Sequence, residues 1–291
     1  MKRLEPWLAL VIGNTRLHWG YFDQAGLVGS WHTPHLTEAI ATQLQQAHFT
    51  AEGWNSLIDW SGPYTDAERA ALPQAPLSPE NIWVASAVPA QSNLWKQPHR
   101  MANIVMRSHI PLSGMYPTLG IDRAINLLGA GELVGYPVLM IDAGTAITLT
   151  AGVAKSVYGG AILPGLRLQT ESLAQKTASL QALIPSFEVD PNAAPVLPTR
   201  WAKDTEGAIA SGLIYSLTAT LTDYILSWWQ QFPAGQVVLT GGDAPQLHSY
   251  LIQQENSENK RTPEVVSRVQ VNSDLMFYGM QVYCRERMLL A

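Results

Sequence analysis

One short pattern occurs twice, almost half a chain apart. Residues 8–15 read Leu-Ala-Leu-Val-Ile-Gly-Asn-Thr, and residues 139–146 read Leu-Met-Ile-Asp-Ala-Gly-Thr-Ala. Each is an apolar run suited to a buried strand, then a glycine turn carrying Asn or Thr, then a second strand-like run. Gly13 and Gly144 lie 131 residues apart in a chain of 291. A duplicated α/β lobe, with a cleft between the lobes as the ligand site, accounts for that spacing. Two unrelated hairpins account for it as well, since strand-glycine-strand turns are common.

The rest of the chain alternates in the same way. Strand-like runs cover residues 7–12, 16–22, 27–32, 82–88, 104–107, 138–141, 147–151, 157–163 and 237–240. Helical periodicity covers 36–47, 121–133, 166–178, 204–229 and 273–288. Residues 61–79 hold four prolines and read as loop, as do 186–200, and 254–260 form a polar turn. Strands interleaved with helices predict an α/β fold of two lobes, 1–118 and 119–291.

Composition removes several functions. Hydrophobic residues at 47% against 14% charged imply a packed core rather than a disordered polymer. Eighteen Lys and Arg against 23 Asp and Glu leave no basic surplus for nucleic acid. A single cysteine, Cys284, excludes a disulfide framework and a multi-cysteine zinc site, and fits a reducing compartment. The seven histidines form no His-Glu-x-x-His pattern. The apolar run 7–12 is short for a signal peptide, and no uninterrupted apolar stretch reaches membrane-spanning length. The expectation is a cytoplasmic protein acting on neither membranes nor nucleic acid.

Several features can carry chemistry. Gly13-Asn14-Thr15 and Gly144-Thr145 suit phosphate, because glycine lets backbone N–H groups approach an anion and a Thr hydroxyl adds a donor. Ordinary hairpin turns read the same way, and no Walker P-loop is present. Gly241-Gly242 permits close approach by a flat ring, or a tight strand-to-helix turn. Asp122-Arg123, behind Gly120, offers a general base beside an anion-holding cation, or a helix cap. Asp142 can hold a cation or close an Asx turn, and Thr205 opens a helix for which Asp204 is the natural cap.

Taken in order, these segments resemble the type III pantothenate kinases of the acetate and sugar kinase/actin superfamily. The marks are Gly13-Asn14-Thr15, Leu119-Gly120-Ile121-Asp122-Arg123-Ala124-Ile125-Asn126 and Ile141-Asp142-Ala143-Gly144-Thr145-Ala146-Ile147-Thr148. Gly159-Gly160-Ala161-Ile162-Leu163-Pro164-Gly165-Leu166, Asp204-Thr205 and Thr240-Gly241-Gly242-Asp243-Ala244-Pro245 complete the set. The resemblance implies two duplicated ribonuclease-H-like lobes in the actin-like ATPase fold. It implies a homodimer that phosphorylates pantothenate with ATP, a divalent cation such as Mg2+, and K+ or NH4+. By the same resemblance, Asp122 is the catalytic base. Tyr116, Gly120, Ile121, Asp122, Arg123 and Thr205 contact pantothenate. Gly13, Asn14, Thr15, Arg16, Thr145, Gly241 and Gly242 take the nucleotide, and Asp142 is the metal residue.

Three positions depart from the family pattern. Val11 stands where the family's first turn carries Asp, Tyr116 lies closer to the Gly-x-Asp-Arg run than the family's tyrosine, and Asp204 replaces an Asn. Two alternatives stay open: a related phosphotransferase with another acceptor, and a non-catalytic binding or regulatory protein on the same scaffold, which the Val11 departure alone favours.

Overall fold

The computed structural model describes residues 5–57, 79, 81–95, 102–177, 180–187, 195–256 and 265–289. The expected proline loop at 61–79 lies outside these residues except for its last position. In order along the chain come β1 (Trp7–Ile12), β2 (Leu17–Asp23), β3 (Gly26–Thr33), α1 (Glu38–Gln46), α2 (Ala51–Leu57), β4 (Asn81–Ser86), α3 (Pro89–Asn93), β5 (Ala102–Ile104) and α4 (Ile121–Val134). Then follow β6 (Val138–Ala143), β7 (Ala146–Val153), β8 (Ser156–Pro164), α5 (Leu166–Lys176), α6 (Thr205–Gln231), β9 (Gln236–Thr240), α7 (Ala244–Glu255), β10 (Val269–Val271) and α8 (Leu275–Leu289).

Two compact units result, Met1–Glu132 with Met276–Ala291, and Leu133–Leu275. Each holds a five-stranded sheet, in the orders β3-β2-β1-β4-β5 and β8-β7-β6-β9-β10. In both, the first three strands run antiparallel and the last two parallel to the first. Both sheets carry a register shift between their second and third strands, at Tyr21/Phe22 and at Ala151/Gly152. The repeated glycine motif therefore marks a repeated lobe. Val11 of β1 holds the place that Asp142 holds in β6.

The sequence explains the central strands. All six residues of β1 are buried, as a parallel-paired strand covered on both faces requires. In the first unit, Trp19 packs against Trp54 and Trp95 with ring centroids 4.9 and 5.7 Å away. Each such pair is worth about 0.5–1.5 kcal/mol beyond its buried area. The indole of Trp19 also donates to Thr33 Oγ1 at 3.0 Å. Two glycines admit α8 to this unit. A methyl group at Gly20 would lie 2.6 Å from the Phe277 ring, and one at Gly279 would lie 2.0 Å from the Ile125 carbonyl oxygen. The compact units thus part after Glu132 and Leu275, whereas the sequence suggests a single cut after 118.

In the second unit, α6 runs 27 residues and is long and apolar enough, by length and composition, to cross a membrane. Half of its apolar window is buried, with Ile209, Ile214, Leu217, Leu221 and Ile225 in the unit's core. Three local expectations shift. Asp142 and Ala143 belong to β6 rather than to the turn, because they pair with Thr148 and Ile147 of β7. The strand expected over 104–107 ends at Ile104, and Arg107 opens a short 3-10 turn. Residues after Gly242 form helix α7, which the periodicity does not announce.

Candidate active site

In the first unit, Tyr116, Gly120, Asp122 and Arg123 are drawn together where the loop before α4 enters the helix. Asp122 Oδ1 accepts the N–H of Arg123 at 2.9 Å. The carboxylate folds back over Gly120, where an added methyl group would lie 2.3 Å from Oδ1. The Arg123 side chain is buried, and its Nη1 donates to the Tyr116 hydroxyl at 2.8 Å. Tyr116 itself is 39% exposed. The loop is held from below by Arg107, whose guanidinium donates to the carbonyl oxygens of Tyr116 and Pro117. Ile121 is the first residue of α4. A carboxylate, a buried guanidinium and a phenol on one short segment can receive a proton and hold an anionic acceptor.

The first glycine turn, also in this unit, presents Asn14 and Thr15 to solvent. The Gly13 N–H donates to the Arg16 carbonyl at 3.0 Å, and the Gly13 carbonyl accepts from His35 Nε2 at 2.8 Å. His18 lies alongside, its Nδ1 2.9 Å from His32 Nδ1. Burial, then the charges of His32 and Arg16, lower the His18 pKa to about 3, so its ring stays neutral.

The second glycine turn is clasped on two sides within its own unit. A methyl group at Gly165 would lie 2.1 Å from the Gly144 carbonyl oxygen, and one at Gly241 would lie 2.4 Å from that of Ala143 and 2.6 Å from Asp142 Oδ1. Gly241 also has a φ of +93°, which disfavours any side chain. Glycine at both places lets α5 and the β9–α7 turn close on Asp142, Gly144 and Thr145. A methyl group at Gly242, by contrast, would meet nothing within 4 Å among the described residues. Asp243 donates its N–H to the Ala143 carbonyl at 2.9 Å. Burial raises the Asp243 pKa, with Arg167 working against the rise. Thr205 stands elsewhere in the unit, exposed as the first residue of α6. Asp204 caps that helix, accepting the Gly207 N–H at 2.7 Å.

Sequence reasoning passes over Arg107 and His35, and quotes Gly165 only within the Gly159–Leu166 run, with no role of its own. Each acts on a carbonyl or a close backbone approach made across a turn, and no spacing rule signals that. The glycine of Pro164-Gly165 is the one available cue.

Comparison with known proteins completes the picture. A family model described as type III pantothenate kinase matches residues 7–226. The chain is 40% identical over 282 residues to a type III pantothenate kinase of Nostoc sp. strain PCC 7120, covering 96% of this chain and 95% of that one. Among solved structures, it is similar to a conserved protein from Campylobacter jejuni titled as a candidate Baf family transcriptional activator. That match has a TM-score of 0.54 at 16% identity, covering 97% and 98% of the two chains. It is similar in fold also to a candidate 2-dehydro-3-deoxygalactonokinase from Sinorhizobium meliloti, with a TM-score of 0.54 at 13% identity and 96% of each chain covered.

Proposed function

The chain belongs to the type III pantothenate kinase family, and from that membership we propose how its residues carry out the ATP-dependent phosphorylation of pantothenate, in the synthesis of coenzyme A. The single observation that carries the assignment of roles is the Asp122 carboxylate folded over Gly120, beside the buried Arg123. Arg123 and Tyr116 hold the pantothenate end of the reaction, with Gly120, Ile121 and Thr205 as further contacts. Asp122 accepts the proton of the acceptor hydroxyl as its oxygen bonds to the γ-phosphorus of ATP. The bond from that phosphorus to the bridging oxygen breaks, and ADP leaves. Phosphoryl transfer asks mainly for positioning and charge stabilisation, so donors matter as much as the base. Asn14, Thr15, Arg16 and Thr145 supply backbone and side-chain donors for the phosphates, Gly13 gives the close backbone approach, and Gly241-Gly242 the approach for the nucleoside.

The residues suit a divalent cation that arrives with the nucleotide. No group of three or more His, Cys, Asp or Glu among the described residues forms a cage, and Mg2+ commonly binds through one or two carboxylates, phosphates and water. Asp142 is the proposed protein ligand for bound cations. Thr148 and Thr240 face it in register on the two neighbouring strands, and their buried hydroxyls have no hydrogen-bond partner among the described residues. Such an oxygen-lined position suits K+ or NH4+, and a cation there offsets phosphate charge.

We assign the protein to the cytoplasm as a homodimer. Tyr158 and Ile162 are 53% and 64% exposed on the edge strand β8, which supports a self-association surface. A second reading, a non-catalytic binding protein, is favoured by Val11 alone, since a buried valine replaces a carboxylate there. Asp122→Asn separates the two. As a base worth about 10²–10⁴-fold, its loss lowers kcat by that factor with little change in KM. An unchanged kcat would remove Asp122 from the chemistry, and a wild-type protein without turnover would favour the second reading.

A further inference from the structure

We propose that His35 is a positioning residue for the phosphate-binding turn at 13–16, fixing the Gly13–Asn14 peptide so that the Asn14 N–H faces the ligand. The inference rests on reading that turn as a nucleotide site. His35 Nε2 lies 2.8 Å from the Gly13 carbonyl oxygen. A carbonyl only accepts, so Nε2 carries the proton and the ring's tautomer is set. The Gly13–Asn14 peptide is planar and trans. Its C=O and N–H therefore point in opposite directions, and tying the carbonyl to His35 turns the Asn14 N–H the other way. Asn14 and Thr15 are the exposed residues of the turn.

His35 is itself held firmly. It sits between Thr33, fully buried and bonded to the Trp19 indole, and Leu36, 5% exposed in the core. Thr37 then caps α1 by accepting the Ile40 N–H at 3.3 Å. The ring thus projects from a short anchored link rather than a free loop.

The duplication supplies an independent argument. In the second lobe, the segment after the third strand also reaches its glycine turn, one residue further along: the Gly165 N–H donates to the carbonyl of Thr145, the equivalent of Asn14, at 3.0 Å. The segments after the fourth strands also reach the turns: Ala87 N–H donates to the Ile12 carbonyl at 3.1 Å, and Asp243 N–H to that of Ala143 at 2.9 Å. Both glycine turns are therefore pinned from the same two places in the topology. The first lobe uses the His35 side chain where the second uses backbone.

The test is steady-state kinetics with ATP and pantothenate varied separately, on wild type, His35→Ala, His35→Gln and Thr15→Ala, with thermal unfolding midpoints for each. Losing the orienting hydrogen bond raises KM for ATP roughly 3- to 10-fold in His35→Ala. KM for pantothenate and the unfolding midpoint stay near wild type. Glutamine, which carries an N–H donor on a side chain of similar reach, restores most of the loss. Two results overturn the proposal. One is an unchanged KM for ATP in His35→Ala while Thr15→Ala raises it. The other is a parallel rise in both KM values with a lowered midpoint that glutamine does not repair. If neither His35→Ala nor Thr15→Ala changes KM for ATP, the phosphate reading of the turn fails along with the proposal.

Discussion

A single methyl group at position 120 would sit 2.3 Å from Oδ1 of Asp122, so the glycine there sets where the proposed base can rest. Gly120→Ala should leave the fold intact, since Gly120 lies in a partly exposed loop, but it moves the carboxylate by an ångström or so. Misplacement on that scale costs about 10²-fold in rate. Kinetics with circular dichroism check this: low kcat with a native spectrum is the expected pair, and a fully active variant would mean that the carboxylate's position is immaterial. At this scale the sequence is legible where chemistry and motif coincide. Asp122 and Arg123 can be singled out from their order behind Gly120. Arg107 cannot, because its partners are the carbonyls of Tyr116 and Pro117, and every residue type carries a carbonyl.

At the scale of elements, capping decides how α6 begins. Asp204 accepts the Gly207 N–H at 2.7 Å, and Gly207 leaves room for it, since a methyl group there would lie 3.1 Å from Asp204 Oδ1. Asp204→Ala should lower stability by about 1 kcal/mol, and Asp204→Asn, which still offers an acceptor, by much less. Urea unfolding of the two variants measures the difference, and equal losses would mean that the cap contributes nothing. This cap and the long apolar pattern behind it make α6 readable in advance. Helix α7 is harder to see. Gly241-Gly242 reads as a turn, and the Pro in the first turn of the helix, a start signal in its own right, is masked by it. Strand β10 has three residues, too few for any alternation to register.

Across the whole molecule, the 131-residue spacing of Gly13 and Gly144 fits two lobes, and the two sheets share one strand order. It does not reveal that α8 belongs with the first. That depends on close approaches at Gly20 and Gly279, contacts made across most of the chain's length, which periodicity cannot encode. A partly buried histidine ties global stability to pH. The folded protein holds His18 neutral, with a pKa of about 3, while the unfolded chain binds a proton near pH 6.5. Between those values the unfolded state carries the extra proton, so stability falls as pH drops below 6.5, by up to about 1.4 kcal/mol per pH unit. His18→Gln should flatten the decline in urea midpoint between pH 7 and 5, and parallel declines would exclude His18 as its source. The central claim, that this chain transfers phosphate from ATP to pantothenate, is tested most directly by measuring phosphopantothenate and ADP formed together, with and without pantothenate and with K+ replaced by Na+. The account predicts equal amounts of the two products, dependent on pantothenate and K+. ADP released at the same rate without pantothenate, or no product from a folded protein supplied with ATP, Mg2+ and K+, would contradict it.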